Sequence, residues 1–201
     1  MNNPKPHLLI ATRNRGKLAE FERLLGGQFT VEGLDGQQID LPEEGTESYR
    51  ANAEAKAIAV ARATGRLTLG DDSGIEVTAL GGEPGIVSAR YAGEPVSDAR
   101  NIEKLLDALA ASASPDRSAR FVCWLAMAGP SGLLTSVEGT CEGTIGIEPH
   151  GANGFGYDPI FRFPDGRTMA QLSDWEKDDV SHRGNALRAI LPALAEATGN
   201  A

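Results

Sequence analysis

The chain has 201 residues, 41% of them hydrophobic and 23% charged, with a formal net charge of -9, which is enough to bury a sizeable core as one domain or as two lobes sharing a sheet. That negative balance argues against a nucleic-acid polymer as partner, since such binders carry a basic stripe or patch, so any phosphate ligand must be held locally by single lysines at helix starts, with divalent metal offsetting nearby carboxylates. No apolar run approaches the roughly 18 residues of a membrane helix, and the opening MNNPKPHLLIATRN lacks the apolar core of a signal peptide, so a cytoplasmic protein with no membrane partner is expected.

In chain order, His7 to Thr12 is a short apolar run that predicts a strand. Leu18, Phe21, Leu24 and Leu25 then recur at helical spacing until Gly26-Gly27. An alanine-rich stretch from Glu47 to Ala63 favours helix and ends at Gly65. Leu67 to Leu69 predicts a strand, with Asp71-Asp72-Ser73-Gly74 just after it. Ile102, Leu105, Leu106 and Leu109 mark an amphipathic helix, and Phe121 to Ala128 and Leu133 to Thr144 read as an antiparallel hairpin turning at residues 129–132. Leu187, Ile190, Leu191 and Leu194 define a closing helix that Ser181 can cap and Pro192 can kink. No repeat or low-complexity linker interrupts this pattern, and the whole, residues 1–201, reads as a single mixed α/β domain. Cys123 and Cys141 suggest reduced thiols. His7, His150 and His182 lack the paired spacing of a Cys/His metal site.

Four segments carry chemistry. Gly151 to Arg167, GANGFGYDPIFRFPDGR, sets three glycines around Phe155 and leads into Tyr157 and Asp158, so close backbone approach and a stacking face fall together; a glycine-rich turn holding a core phenylalanine is the plainer reading. Thr12 to Lys17 joins a strand to a helix and fails the Walker pattern, with Ala11 in place of the first Gly and Leu18 in place of Ser or Thr. Its amides, Asn14 and Lys17 still suit a polyphosphate, unless it is a solvated loop. Asn52 and Lys56 stand four apart on one helix face, either for a ligand or merely for solvent. Asp71 and Asp72 can ligate a hard cation and orient a water, or cap a turn.

Taken together, these segments resemble the inosine triphosphate pyrophosphatase (Ham1-like) family, the non-canonical purine NTP pyrophosphatases. The family's T-G-N-x-G-K stands as Thr12 to Lys17, its N-A-x-x-K-A as Asn52 to Ala57 and its D-D-S-G-L as Asp71 to Ile75. The central L-G-G-x-P-G-x-x-S-A-R-Y runs from Leu80 to Tyr91, with G-F-G-Y-D-P-x-F at Gly154 to Phe161 and S-H-R-G at Ser181 to Gly184. Six ordered motifs cover nearly the whole chain.

The resemblance implies a mixed central sheet flanked by helices, two lobes with the active-site cleft between them, a homodimer, and magnesium-dependent hydrolysis of ITP, dITP and XTP to the monophosphate and pyrophosphate. It assigns Thr12, Asn14, Lys17, Asn52, Lys56 and Ser73 to the triphosphate side, with Lys56 also serving catalysis. Asp72 would be proton acceptor and, with Asp71, a metal ligand. Phe155 would stack on the base, and Gly156, Tyr157, Asp158, Lys177, Ser181, His182 and Arg183 would line its pocket. Two departures stand out: Arg13 replaces a family glycine, and Ala51 replaces a glutamate expected to bind metal. Glu47, Glu44 or Glu54 can substitute for it, or water can fill the position; otherwise hydrolysis is weakened and the chain is a nucleotide-binding protein. A pyrophosphatase for another nucleotide is the further alternative.

Overall fold

The computed structural model describes residues 4–199. Its elements are β1 (His7–Ile10), α1 (Arg15–Leu25), β2 (Thr30–Glu32), α2 (Tyr49–Thr64), β3 (Thr68–Val77), β4 (Pro84–Gly85), α3 (Asp98–Ala111), β5 (Ser118–Gly129), β6 (Gly132–Ile145), β7 (Phe161–Arg162), α4 (Asp174–Val180) and α5 (His182–Thr198). The strands form one sheet in the order β2-β1-β3-β5-β6-β7, with β4 paired to β3. β1 is parallel to β2 and β3, whereas β3–β4 and β6–β7 are antiparallel. This is the mixed α/β class the sequence predicts, and β5 and β6 are joined by Pro130-Ser131 as the expected hairpin.

Two compact units divide the chain. The first takes residues up to Asp72, Cys123–Gly139 and those from Ala186 onward; the second takes Ser73–Val122 and Thr140–Asn185. β3, β5 and β6 each pass from one unit into the other along their length. Each unit has its own core. In the first, Leu8, Ile10 and Leu69 of the sheet pack with Phe21 and Leu25 of α1 and with Leu187, Ile190 and Leu194 of α5. In the second, Ile75, Phe121 and Ile145 pack with Ile102, Leu105 and Leu109 of α3 and with Phe161 and Met169.

Polar side chains start the helices, satisfying amides that have no partner within the helix. Asn14 accepts from the Lys17 amide at 3.0 Å for α1, and Ser48 from the Ala51 amide at 3.2 Å for α2. Ser181 accepts from the Gly184 amide at 3.1 Å, fulfilling its expected role at α5. α2 ends at Gly65, which takes the left-handed conformation with φ +69°. α5 continues through Pro192.

The approach of α2 to the sheet is set by small residues. Ala53, Ala57 and Ala61, spaced by four, meet Ala126 and Ala128 of β5 in one buried cluster. On β3, a Cβ at Gly70 would lie 2.2 Å from the Ala53 carbonyl oxygen, so only glycine permits this separation. The polar residues that directly precede Ala53 and Ala57, Asn52 and Lys56, are thereby carried down to the strand.

One expectation is corrected. Asp71-Asp72-Ser73-Gly74 does not follow a strand; it lies inside the ten-residue β3. Asp and Gly are disfavoured in strands, which makes the segment look like a turn, but both neighbouring aspartates are buried and supplied with donors. β2, β4, β7 and α4 are elements that periodicity does not announce, three of them strands of two or three residues.

Candidate active site

In the first unit, Asp71 and Asp72 sit on a strand and so project to opposite faces, and each finds its own partners. Asp72 accepts from Asn52 Nδ2 at 2.9 Å and lies 3.6 Å from Lys56 Nζ. Lys56 also binds Glu44 at 2.6 Å. Asp71 is ion-paired with Lys17 and accepts from the Cys123 thiol at 3.1 Å. Burial raises the Asp72 carboxyl above its ordinary 3.8, against the pull of Lys56 and Asn52. Burial alone would lower the Lys56 ammonium, but Asp72, Glu44 and Asp71 outweigh it and leave it above 10.5.

The phosphate-loop candidate is built at the start of α1. Thr12 is buried and its hydroxyl accepts from the Asn14 amide at 3.1 Å. Asn14 in turn caps the helix, and Lys17, one turn in, reaches Asp71. The extra cation at Arg13 is exposed and donates to the Ile39 carbonyl at 2.7 Å.

Ala51 is exposed in the first turn of α2. Of the three glutamates that could stand in for a carboxylate there, Glu54 pairs with Arg50 at 2.7 Å and accepts from Ser136 at 2.8 Å, and Glu47 is exposed. Glu44 alone of the three is bound to Lys56 beside Asp72. Glu44, on the loop before α2, thus brings a carboxylate to the same ammonium group as Asp72, a placement no helical spacing reveals.

In the second unit, Phe155 is partly exposed rather than a core residue. Lys177 Nζ lies 4.9 Å and the Arg183 guanidinium 5.9 Å from its ring centre, so an electron-rich face is flanked by cations. Lys177 and Asp158, both nearly fully buried, pair at 2.6 Å, and the same carboxylate accepts from the Phe155 amide at 2.9 Å. Gly154 has φ +79°, and a Cβ there would fall 2.0 Å from Asp158 Oδ2; the loop requires glycine at this point. Gly156 donates its amide to Asp98 at 2.8 Å, and Tyr157 its hydroxyl to the Ser88 carbonyl at 2.8 Å.

Arg183 is 1% exposed and donates to the Ser73 hydroxyl at 3.0 Å, while His182 stacks on Phe121 at 4.7 Å with a 12° interplanar angle. All the expected base-side residues from Phe155 to Arg183 thus belong to one unit. Asp98 and Cys123 are polar contacts of these clusters that sequence reading does not single out: their partners lie 58 and 52 residues away, and each looks like an ordinary helix-start or strand residue.

The Ham1 family model matches residues 8–193, and the chain belongs to that family. It is 47% identical over 195 residues to the dITP/XTP pyrophosphatase of Exiguobacterium sibiricum, covering 96% of this chain and 98% of that one. It is 52% identical over 185 residues to the dITP/XTP pyrophosphatase of Syntrophobacter fumaroxidans, covering 90% and 78%. Among solved structures it is similar to a HAM1 protein from Coxiella burnetii, with a TM-score of 0.85, 40% identity and coverage of 95% and 99%. The Staphylococcus aureus Ham1 protein matches with a TM-score of 0.81 and 43% identity over 94% of this chain and 98% of that one.

Proposed function

We propose that this protein hydrolyses ITP, dITP and XTP to the nucleoside monophosphate and pyrophosphate, removing aberrant purine nucleotides from the pool, and that residues 1–201 act as one catalytic domain. The observation that carries this reading is Asp72: a buried carboxylate held by Asn52 and Lys56, with its affinity for a proton raised. A general base works best when its pKa moves from the carboxylate range toward the working pH. In this reading Asp72 takes the proton from the attacking water, a bond forms from that oxygen to the α-phosphorus, and the bond to the departing pyrophosphate breaks. Thr12, Asn14, Lys17 and Lys56 hold the phosphates and Ser73 contributes a hydroxyl; the lysine charges offset what develops on the phosphoryl oxygens. Phe155 offers its face to the base, while Gly156, Tyr157 and Asp158 shape the pocket with Lys177, Ser181, His182 and Arg183. Donors fixed for a 6-oxo purine reject a base that leaves them unpaired.

The donors also suit magnesium. Asp72 and Glu44 converge on one ammonium group and offer only oxygen, and no group of three or more His, Cys, Asp or Glu side chains placed to hold a metal occurs among the described residues. Magnesium fits such a site, because it commonly takes one or two carboxylates with substrate phosphates and keeps several waters. In this reading Asp72 and Glu44 would hold it, whereas Asp71, expected as the second ligand, is paired with Lys17 and the Cys123 thiol, and the metal would neutralise phosphate charge. The same reading takes the protein as a cytoplasmic homodimer with no nucleic-acid polymer as partner. No helix among the described residues is long and apolar enough to cross a membrane.

The test is product identity. Incubated with magnesium and ITP or XTP, the protein should release pyrophosphate and no primary orthophosphate, with GTP and dTTP as poor substrates; orthophosphate as first product would overturn the reading. A weakened, binding-only protein is disfavoured, since Glu44 stands beside Asp72. Ala51→Glu should accordingly leave the magnesium dependence of the rate unchanged. Glu44→Gln should raise the magnesium needed for half-maximal rate on the order of tenfold, and a magnesium titration of both variants decides between them.

A further inference from the structure

We infer that Asp98, at the start of α3, is a positioning residue for the base pocket, tethering the Phe155 loop through the amide of Gly156; this rests on the reading of Phe155 as the base-stacking residue. The backbone of that loop is pinned point by point. Asn153 donates its amide to the Ala170 carbonyl at 3.1 Å, the Gly154 amide goes to the Asn153 side chain at 2.9 Å and the Phe155 amide to Asp158 at 2.9 Å. The acceptors of these three amides all lie within residues 153–170, and the loop's other anchors are made by side chains: Asn153 Nδ2 donates to the Leu172 carbonyl at 3.0 Å and to Asp174 at 2.9 Å, and the Tyr157 hydroxyl to the Ser88 carbonyl at 2.8 Å. Gly156, the residue directly after the stacking ring, is different: its amide is held at 2.8 Å by a carboxylate 58 residues earlier in the chain.

Asp98 is well placed to hold this position. It is the first residue of α3, whose cap is supplied separately by Ser97 accepting from the Arg100 amide. Its carboxylate is therefore not needed as the cap and is directed to another segment. α3 itself is anchored by Ile102, Leu105 and Leu109 in the core of the second unit, and Asn101, one turn on, accepts from the Ala92 amide at 2.8 Å and donates to the Ala89 carbonyl at 3.0 Å. Asp98 thus transmits the rigidity of a packed helix to a loop whose Gly154 and Gly156 both adopt positive φ and which would otherwise sample many conformations. An ionised acceptor on a backbone amide is the stronger kind of hydrogen bond. Holding the ring in place beforehand lowers the ordering cost of binding the base, an effect on substrate affinity more than on the chemical step.

The experiment uses the full chain with Asp98→Ala, Asp98→Ser and Asp98→Asn. Serine is favoured at helix starts but too short to reach Gly156, so it separates the tether from helix stability; asparagine keeps an oxygen at the same reach. Asp98→Ala and Asp98→Ser should raise the KM for ITP about fivefold with kcat within about twofold, the loss of one hydrogen bond to an exposed charged group. In nucleotide-free protein, amide hydrogen exchange over residues 155–157 should quicken in both, and Asp98→Asn should restore most of the wild-type exchange and KM. Unchanged exchange at 155–157 in Asp98→Ser, or an Asp98→Asn variant as impaired as Asp98→Ala, would overturn the tether. A wild-type protein that fails to hydrolyse ITP at all would instead overturn the proposed function, and the exchange measurement would still decide the tether.

Discussion

Asp72→Asn is expected to lower the rate of ITP hydrolysis by about 10³-fold, the scale of a lost general base, while the metal-free protein becomes no less stable and gains stability at neutral pH. The amide keeps the shape and can still accept from Asn52, but it can neither take a proton from water nor offer a charge to metal. The stability side follows from burial. Because the folded-state pKa of Asp72 lies above 3.8, protonation of this group favours the folded state; that contribution is fully present below 3.8 and is lost as pH rises through the higher folded value. At neutral pH the native protein carries the cost of a desolvated carboxylate that the variant lacks. The gap in unfolding free energy between variant and native protein should accordingly be widest near pH 7 and close toward pH 3 to 4, measured by denaturant titration with a chelator present. A variant that turns over at near-native rate would move the chemistry off Asp72. One that is less stable at pH 7 would show that the pairing with Lys56 outweighs the burial cost.

A buried, desolvated carboxylate on a strand is the kind of local inconsistency at which sequence reading is expected to fail for element type. That happens on β3. Asp-Asp-Ser-Gly breaks the rules of a strand, so it reads as a turn, yet the same oddity marks it as chemistry. Phe155 is flagged for a related reason: three glycines around one aromatic residue suit either a ligand loop or a turn over a core ring, and it is the partial exposure of the ring, with Lys177 and Arg183 against it, that separates the two. Helices α1, α3 and α5 are legible from their period and α2 from its alanine content, because those signals are local. Glu44 is hard to assign, since it lies in an irregular stretch where no period fixes its direction, and only the close seating of α2 on Gly70 brings Lys56 to meet it. Cys123 and Asp98 are invisible for the opposite reason. Each fits a bland local role, and its second role depends on a partner that only the sheet order and the loop fold bring near.

Lys56→Met carries the second large effect, and it should strike activity and stability together. Methionine keeps an apolar stem of similar length, so packing against the α2 alanines is retained and the change is chiefly the loss of one buried charge. That charge sits 2.6 Å from Glu44 and 3.6 Å from Asp72, with side-chain exposure of 6% for the lysine and 7% for Asp72. Removing it leaves a buried carboxylate uncompensated, for which about 3 kcal/mol of destabilisation is the usual scale. Turnover should fall by about 10²-fold or more, as when one preorganised electrostatic stabiliser of a transition state is removed. The pH dependence has a definite sign. Lys56 titrates above 10.5 in the folded protein because Asp72 and Glu44 together outweigh the penalty of burial, so its contribution is fully present below 10.5 and disappears only as pH rises through the higher folded value. The stability deficit of Lys56→Met should hold steady from neutral pH to about pH 10 and shrink above it. Magnesium should partly restore the stability but not the rate, since a bound cation can replace the charge beside Asp72 by mass action yet cannot take the place of the lysine on the phosphate. Denaturant titrations with and without magnesium, run beside initial rates on ITP, measure both. Lost turnover with stability unchanged in the chelated protein would mean that Lys56 acts on the substrate alone and does not hold the acidic cluster together.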